Sequence, residues 1–239
     1  MQKKTRRPNP PPYHHGDLRR ALIDTAMGLV TEEQDWTFSL REVARRAGVS
    51  HHAPYNHFPE KQDLLGAVAA VGFEKLRDCL LQATAGIEGP EALIDRIGRT
   101  YVRLGLENPA LYRLMFGTAL ADAGPGDRPT VARSAGDRAR AVLEEVIQRG
   151  ARSGVLAVSP DSSQDQILAA LAFWSALHGL TMLIIDKIPK ADLSVDGMID
   201  RLLRTLIEGL RRPCAEVEVA TQPVRTQRGG WALRPEIMS

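Results

Sequence analysis

A tight turn between two short helical segments, within residues 39–58, constrains the fold of this chain more than any other feature. Leu40 and Val43 recur at helical spacing and predict one inward face of the first segment. Ala44 is small enough for the second segment to approach its backbone. Gly48 stands where the turn needs a positive φ, which glycine adopts without a Cβ clash. The window therefore predicts two short helices that cross steeply.

Capping residues define the ends of these two helices. Ser39 followed by Glu42 is typical of a capping box at the start of the first helix. Ser50 can cap the second helix. Pro54 is tolerated only in the first turn of a helix, because N–H groups there have no intrahelical partner. The sequence thus predicts a short second helix over 50–58.

Helical periodicity also governs the rest of the chain, whereas strand signals are nearly absent. A stripe at three- and four-residue spacing predicts a first helix near 17–34. Prolines punctuate the later part and predict helices over 60–79, 91–107, 110–117, 131–152, 161–186 and 194–211. Gly, Ala, Pro and Asp over 117–128 predict a loop, and 213–239 predicts a tail without periodicity. The expected fold class is all-α.

Composition excludes several classes of protein. Hydrophobic residues make up 44% of the chain, too many for a disordered protein, and aromatic residues make up 5%, too few for a protein that stacks single-stranded bases. Two cysteines, Cys79 and Cys214, exclude a disulfide scaffold and a four-cysteine zinc site and fit the cytoplasm. Residues 1–13 are basic and rich in proline without an apolar core, so we expect no secretory signal.

Charge is concentrated at the N-terminal end. Residues 1–61 carry ten Lys or Arg against seven Asp or Glu, and five of the six histidines precede residue 58. Such a polar, mildly basic end suits contact with a polyanion. We expect residues 1–14 to form a flexible basic arm that either trails along nucleic acid or stays solvated. Its cations are Lys3, Lys4, Arg6 and Arg7.

The second predicted helix carries side chains that can read duplex DNA. Histidine and asparagine can hydrogen-bond base edges, tyrosine and serine can reach phosphate oxygens, and a helix of this size fits the major groove. An ordinary helical hairpin is the alternative, in which Tyr55 and Phe58 belong to the core. The predicted DNA contacts are Arg41, Ser50, His51, His52, Ala53, Tyr55, Asn56, His57 and Lys61.

The window resembles the N-terminal motif of TetR/AcrR-family transcriptional regulators. The matching stretches are Ser39-Leu-Arg-Glu-Val-Ala, Ala47-Gly-Val-Ser and Tyr55-Asn-His-Phe-Pro-Glu-Lys61. The resemblance implies nine or so helices in two domains. The first, here 15–61, is a three-helix helix-turn-helix DNA-binding domain, and the second, here 62–212, is a helical ligand-binding and dimerisation domain.

The same resemblance implies roles for individual residues. Ser39, Tyr55 and Lys61 are expected to contact phosphates, and His51, His52 and Asn56 to face bases. Pro54 stands where many members of the family have Leu or Ile, and His51-His52 where many have Lys-Gly, so no base preference carries over. Separately, Trp174-Ser-Ala-Leu-His-Gly179 is similar to the Trp-x-x-x-His-Gly signature of one C-terminal subgroup.

An uncharged segment over 167–185 is long enough to span a membrane. Ser175 and His178 within it, and the lack of a Lys/Arg bias beside it, argue against that role. The next helix carries an apolar seam, and a two-fold four-helix bundle with two helices from each subunit would cover both. We therefore predict a homodimer that does not enter the membrane, with an interface of Leu171, Trp174, Ile199, Leu202, Leu203, Leu206 and Leu210.

Aromatic and apolar side chains in the second domain either line a pocket for a small-molecule effector or form plain core. The candidates are Phe73, Leu76, Tyr101, Leu104, Tyr112, Met115, Phe116, Phe173, Trp174, Leu177, His178 and Met182. His178 either hydrogen-bonds the effector or is a satisfied core histidine. An effector would release the DNA operator by favouring a dimer geometry that no longer matches two successive grooves.

Other classes of function find little support in the sequence. The chain has no GxSxG, HExxH, CxxC or phosphate-cradling glycine loop, so we expect neither an enzyme nor a cofactor. His14-His15 and His51-His52 are adjacent pairs that face different ways on a helix, so we expect no metal site. A helical dimer that binds small molecules without touching DNA stays open as the second hypothesis, and affinity for duplex DNA distinguishes the two.

Overall fold

The chain folds into helices only, over the residues that the computed structural model describes, which are 15–117, 120, 130–189 and 192–211. The all-α prediction is confirmed for these residues. Eight α-helices and one 3₁₀ helix follow one another in the order α1 His15–Glu33, α2 Leu40–Arg46, the 3₁₀ helix Ala53–Asn56, α3 Lys61–Thr84, α4 Pro90–Glu107, α5 Pro109–Phe116, α6 Thr130–Arg152, α7 Ser163–Ile185 and α8 Val195–Leu210.

The N-terminal part packs α1 and α2 around the start of α3. Leu22, Leu29 and Val43 are almost fully buried there, together with Phe58 just after the 3₁₀ helix. Arg46 on α2 donates to Glu32 at the end of α1 at 2.8 Å, which ties the two helices together at the surface. The small helical unit therefore has an apolar interior despite its short elements.

The long helix α3 joins the N-terminal part to the rest of the chain. Leu64, Leu65 and Val68 are buried on all sides, because α1, α4, α5 and α6 all pack against this helix. The helix runs five residues beyond the predicted end at Cys79. The predicted domain boundary between residues 61 and 62 falls at the first turn of α3, so the two predicted domains share one continuous helix and one core.

Helix α8 packs on α4 and buries half of its apolar seam inside the chain. Ile199 is 0% exposed and Leu203 1%, and a Cβ at Gly98 of α4 would overlap Leu203 Cδ2. This corrects the sequence-based prediction, which assigned both residues to the dimer seam. The periodicity identified an apolar face, but close approach at Gly98 lets α4 cover it within one chain.

Helix α7 is the most apolar element of the described residues. Its length and composition would allow it to cross a membrane, and 22% of its most apolar stretch is buried within the chain. Three segments predicted from the sequence lie outside the described residues. They are the arm over 1–14, nearly all of the loop over 117–128, and the tail over 213–239.

Candidate DNA-binding surface and ligand cavity

The predicted turn between the two short helices is present, and its geometry follows from the local sequence. Ser39 Oγ accepts a hydrogen bond from the Glu42 amide at 3.2 Å and caps α2. Gly48 has a φ of +70°, the left-handed conformation predicted for it. A complete capping box would also have the Glu42 side chain accept from the Ser39 amide. The Glu42 carboxylate instead binds Arg45, so the serine cap is the part of the predicted box that is observed.

The second helix of the pair differs from its prediction. Only Ala53–Asn56 is helical, and it is a 3₁₀ helix rather than an α-helix over 50–58. Pro54, at its first turn, has no N–H to donate, and Pro59 follows closely, so too few residues remain for an α-helical ladder. The cap residue is His52 without a side-chain cap, which corrects the prediction that Ser50 caps this helix.

The short 3₁₀ segment presents a polar surface to solvent. His51, His52 and Asn56 are exposed, and the two histidine rings lie 4.0 Å apart between centroids. Tyr55 is 44% exposed, whereas Phe58 is 1% exposed and belongs to the core. Ser39, Arg41 and Ser50 are also exposed, and Ala53 and His57 are half-buried. The structure thus brings the predicted base-reading side chains onto one open segment.

Cations around this segment differ in their availability. Arg45 is paired with Glu42, and its hydrogen bond to Glu42 raises its pKa. Arg46 is paired with Glu32, Glu33 and Glu42, and its hydrogen bond to Glu32 raises its pKa. Among the described residues, Arg41 has no such partner, which leaves its guanidinium open to a phosphate. Lys61 is half-buried with Nζ 5.4 Å from the centre of the Phe38 ring, and burial lowers its pKa.

A small cavity lies between α3, α4 and α5 in the C-terminal part. Its volume of about 20 Å³ holds roughly one water molecule, far less than a bound effector needs. The predicted pocket residues Leu76, Tyr101, Leu104, Tyr112 and Met115 line it. Four further lining residues were not predicted: Gly72, Lys75, Asn108 and Leu111. Asn108 followed by Pro109 is a helix-start signal that would have placed Asn108 at the α5 cap.

A chain of hydrogen bonds runs behind this cavity. Trp174 Nε1 donates to Tyr101 Oη at 2.9 Å, Tyr101 Oη and Tyr112 Oη lie 2.8 Å apart, and Tyr112 Oη lies 2.7 Å from His178 Nδ1. An indole N–H can only donate, so every donor is used when each phenol donates to the next group and His178 accepts at Nδ1. His178 is then neutral and carries its proton on Nε2.

Burial keeps the titratable side chains of this hydrogen-bonded chain uncharged. It raises the pKa of Tyr101 to about 12, and the hydrogen bonds of Tyr101 with Tyr112 and Trp174 offset part of the rise. Burial also raises the pKa of Tyr112 and lowers that of His178. The indole N–H of Trp174 points inward to Tyr101, although Trp174 does not itself line the cavity.

The other predicted pocket residues do not line the cavity and belong to the core around the hydrogen-bonded side chains. Phe116 lies 4.8 Å from the Tyr112 ring and 4.9 Å from the His178 ring, between centroids. Phe73 meets Phe116 edge to face at 5.2 Å. Phe173 and Leu177 are fully buried core, and Met182 is half-buried against it. The aromatic cluster thus packs behind the cavity.

The short helix α5 connects the cavity to two distant elements. At its start, Asn108 Nδ2 donates to Thr31 Oγ1 on α1 at 2.9 Å. Near its end, Arg113 forms an ion pair with Asp186 at the end of α7. Between these, Tyr112 binds His178 of α7. A displacement of α5 would therefore disturb contacts with both α1 in the N-terminal part and α7.

An open apolar surface runs along α7. Its side chains at positions 167, 168, 171 and 183 are each about half exposed, although they are isoleucine or leucine. Of the predicted dimer residues, Leu171 is exposed and Leu202, Leu206 and Leu210 are half-buried.

No cluster of three His, Cys, Asp or Glu that could hold a metal ion occurs among the described residues.

Two protein-family models match the chain. One, described as bacterial regulatory proteins of the tetR family, matches residues 22–68, and the other, described as a tetracyclin repressor-like C-terminal domain, matches residues 94–206. The first covers the turn, the 3₁₀ segment and the start of α3. The second covers α4 to most of α8.

Individual relatives are similar over most of their length. An uncharacterized HTH-type transcriptional regulator of Mycobacterium tuberculosis is 24% identical over 217 residues, which are 90% of this chain and 85% of the relative. A solved structure of a protein with unknown function from Rhodococcus sp. RHA1 has a TM-score of 0.70 at 28% identity, covering 85% of this chain and all of that one. A tetR-family regulatory protein from Rhodococcus RHA1 shares the fold, with a TM-score of 0.59 at 18% identity over 83% of this chain and 98% of its own.

Proposed function

The chain belongs to the TetR/AcrR family of transcriptional regulators, and from that premise we propose that it is a homodimeric repressor that leaves a near-palindromic operator when a small molecule binds. The DNA-binding unit is residues 15–61, and the unit for ligand and dimer contacts is residues 62–212. The proposed localisation is the cytoplasm, where the operator DNA is.

Operator contact is assigned to the exposed 3₁₀ segment. His51, His52 and Asn56 project into solvent and can hydrogen-bond base edges in the major groove. Tyr55, Ser39 and Lys61 are assigned to phosphates, with the unpaired Arg41 beside them. Because the segment is a single 3₁₀ turn, it reaches few base pairs, and a second copy is needed to extend the recognised site.

The second copy is assigned to the apolar surface of α7. Only 22% of the most apolar window of α7 is buried within one chain, so exposed leucines such as Leu171 and Leu183 would otherwise face water. Two-fold pairing of α7 and α8 would bury them in a four-helix bundle. The two 3₁₀ segments would then meet DNA about one helical turn apart.

Release is assigned to the cavity and α5. An effector cannot fit into about 20 Å³, so it binds only a form in which α5 or Met115 has moved. Movement of α5 pulls on Asn108 and, through Thr31, on α1 of the DNA-binding unit. Tenfold release needs a coupling free energy of about 1.4 kcal/mol, within the range of known allosteric proteins.

Selection of bound sequences from random duplex DNA tests the proposal. We expect an inverted repeat whose binding weakens with salt. His52→Ala and Asn56→Ala should each weaken binding to that repeat about 5- to 150-fold, whereas Ser134→Ala, an exposed position on α6, should not. Recovery of no sequence, or equal binding by all three variants, would refute the assignment. A reporter behind the selected repeat should be expressed less when the protein is present.

A further inference from the structure

An unpaired cation stands on the wall of the cavity. Lys75 lines it from α3, is exposed, and forms no ion pair with any residue in the described part of the chain. The acidic residues next to it in sequence are already engaged. Glu74 pairs with Arg77 and Arg138, and Asp78 pairs with Arg77. The Lys75 ammonium therefore lacks an anionic partner.

Other polar groups on the cavity wall already have partners in the protein. Asn108 donates to Thr31 and accepts from the Leu111 amide. The hydroxyls of Tyr101 and Tyr112 belong to the hydrogen-bonded chain that ends at His178. A ligand in this cavity would thus find one charged group without a partner, among the described residues, and that group is a cation.

Apolar side chains form the remainder of the wall. Leu76, Leu104 and Leu111 line it together with Met115. A Cβ at Gly72 would lie 2.6 Å from Met115 Sδ, so the methionine occupies space that a bare glycine backbone leaves open. Methionine has three rotatable bonds, so its side chain can take up other rotamers and open this space. The space it would vacate has apolar walls, and Lys75 lines the same cavity.

We infer that the effector of this cavity is an amphipathic organic anion. Its apolar body lies between α3, α4 and α5 in place of the Met115 side chain, and its carboxylate or similar head group binds the Lys75 ammonium. A charge-assisted hydrogen bond of this kind is stronger than one between neutral groups. The inference rests on the proposed function, in which occupation of this cavity releases DNA.

Three eight-carbon compounds that differ only in the head group test the inference: octanoate, 1-octanol and octylamine. We expect calorimetry on the full chain at neutral pH to give octanoate the highest affinity and octylamine the lowest. Lys75→Met should weaken octanoate about tenfold and leave 1-octanol unchanged. Arg96→Met removes an exposed cation of α4 that has no ion pair within the described ranges and lies outside the cavity wall, so it should change neither affinity.

Several results would overturn the inference. These are equal affinities for octanoate and 1-octanol, an octanoate preference that survives Lys75→Met, and binding of none of the three compounds. Binding to the selected operator is measured on the same preparations. If that binding is intact while the anion preference is absent, the inference fails and the proposed regulator stands. If operator binding is absent, the proposed function fails by itself, whatever the three compounds do.

Discussion

Replacing Gly98 by alanine tests whether Leu203 belongs to the interior of one chain or to a seam between two. Leu203 is 1% exposed, and a Cβ at position 98 would overlap its Cδ2 and lie 3.3 Å from Cδ1 and Cγ. Overpacking of this kind costs about 1–3 kcal/mol. Leu203→Ala, which empties the same space, should cost about 2–5 kcal/mol.

The double variant separates the two arrangements. Without the δ-methyl groups of Leu203, the new methyl at position 98 meets none of the three atoms nearest to it in the native chain. Gly98→Ala should then be neutral or slightly stabilising, because alanine favours a helix over glycine. The two changes should therefore couple by about 1–3 kcal/mol in a double-mutant cycle measured by urea unfolding.

Additive effects, within about 0.5 kcal/mol, would refute the packing of α8 on α4. A second readout is the state of association in sedimentation. Leu203→Ala should lower stability without changing that state, because the residue faces α4. Loss of the dimer together with normal stability would instead return Leu203 to the seam predicted from periodicity.

Three further changes have expected outcomes. Leu171→Arg should give a monomer in sedimentation that keeps its helical content by circular dichroism, because this side chain is 46% exposed within one chain; a persisting dimer would contradict the interface. Tyr112→Phe should lower the free energy of unfolding by about 1–3 kcal/mol in urea, since Tyr101 and His178 lose a buried partner; an unchanged midpoint would argue against the hydrogen-bonded chain. Burial lowers the pKa of His178, so the unfolded chain takes up the proton first, and stability should fall as pH drops below about 6.5; His178→Phe should remove this part of the pH dependence.

The contrast between the two short helices shows how far local patterns reach. Gly48 and the Ser39 cap were predictable, because both depend on backbone conformation within a few residues. The α-helix over 50–58 was not formed, since Pro54 and Pro59 restrict the segment from both sides to one 3₁₀ turn. The same side chains are exposed all the same, so the candidate base contacts did not depend on the type of helix.

The candidate pocket was predicted in part. Tyr101, Tyr112 and Met115 line the cavity, as their spacing and size suggested. Lys75 was not predicted, because its importance comes from its place on the cavity wall, and the packing of α4 and α5 against α3 decides that. Trp174 and His178 were recognised as a pair on one face of a helix, but their link to Tyr101 and Tyr112 joins residues more than sixty positions apart.

By itself, the sequence determined the helices, the turn at Gly48 and the polar character of the 3₁₀ segment. Periodicity, capping and φ preferences act over a few residues, so they can be read along the chain without knowing its neighbours in space. Tertiary structure alone decided which side of α8 is core, which groups complete the hydrogen-bonded chain behind the cavity, and which lysine stands on the cavity wall. These outcomes depend on close contact between helices that are distant in sequence, such as the approach of Leu203 to Gly98.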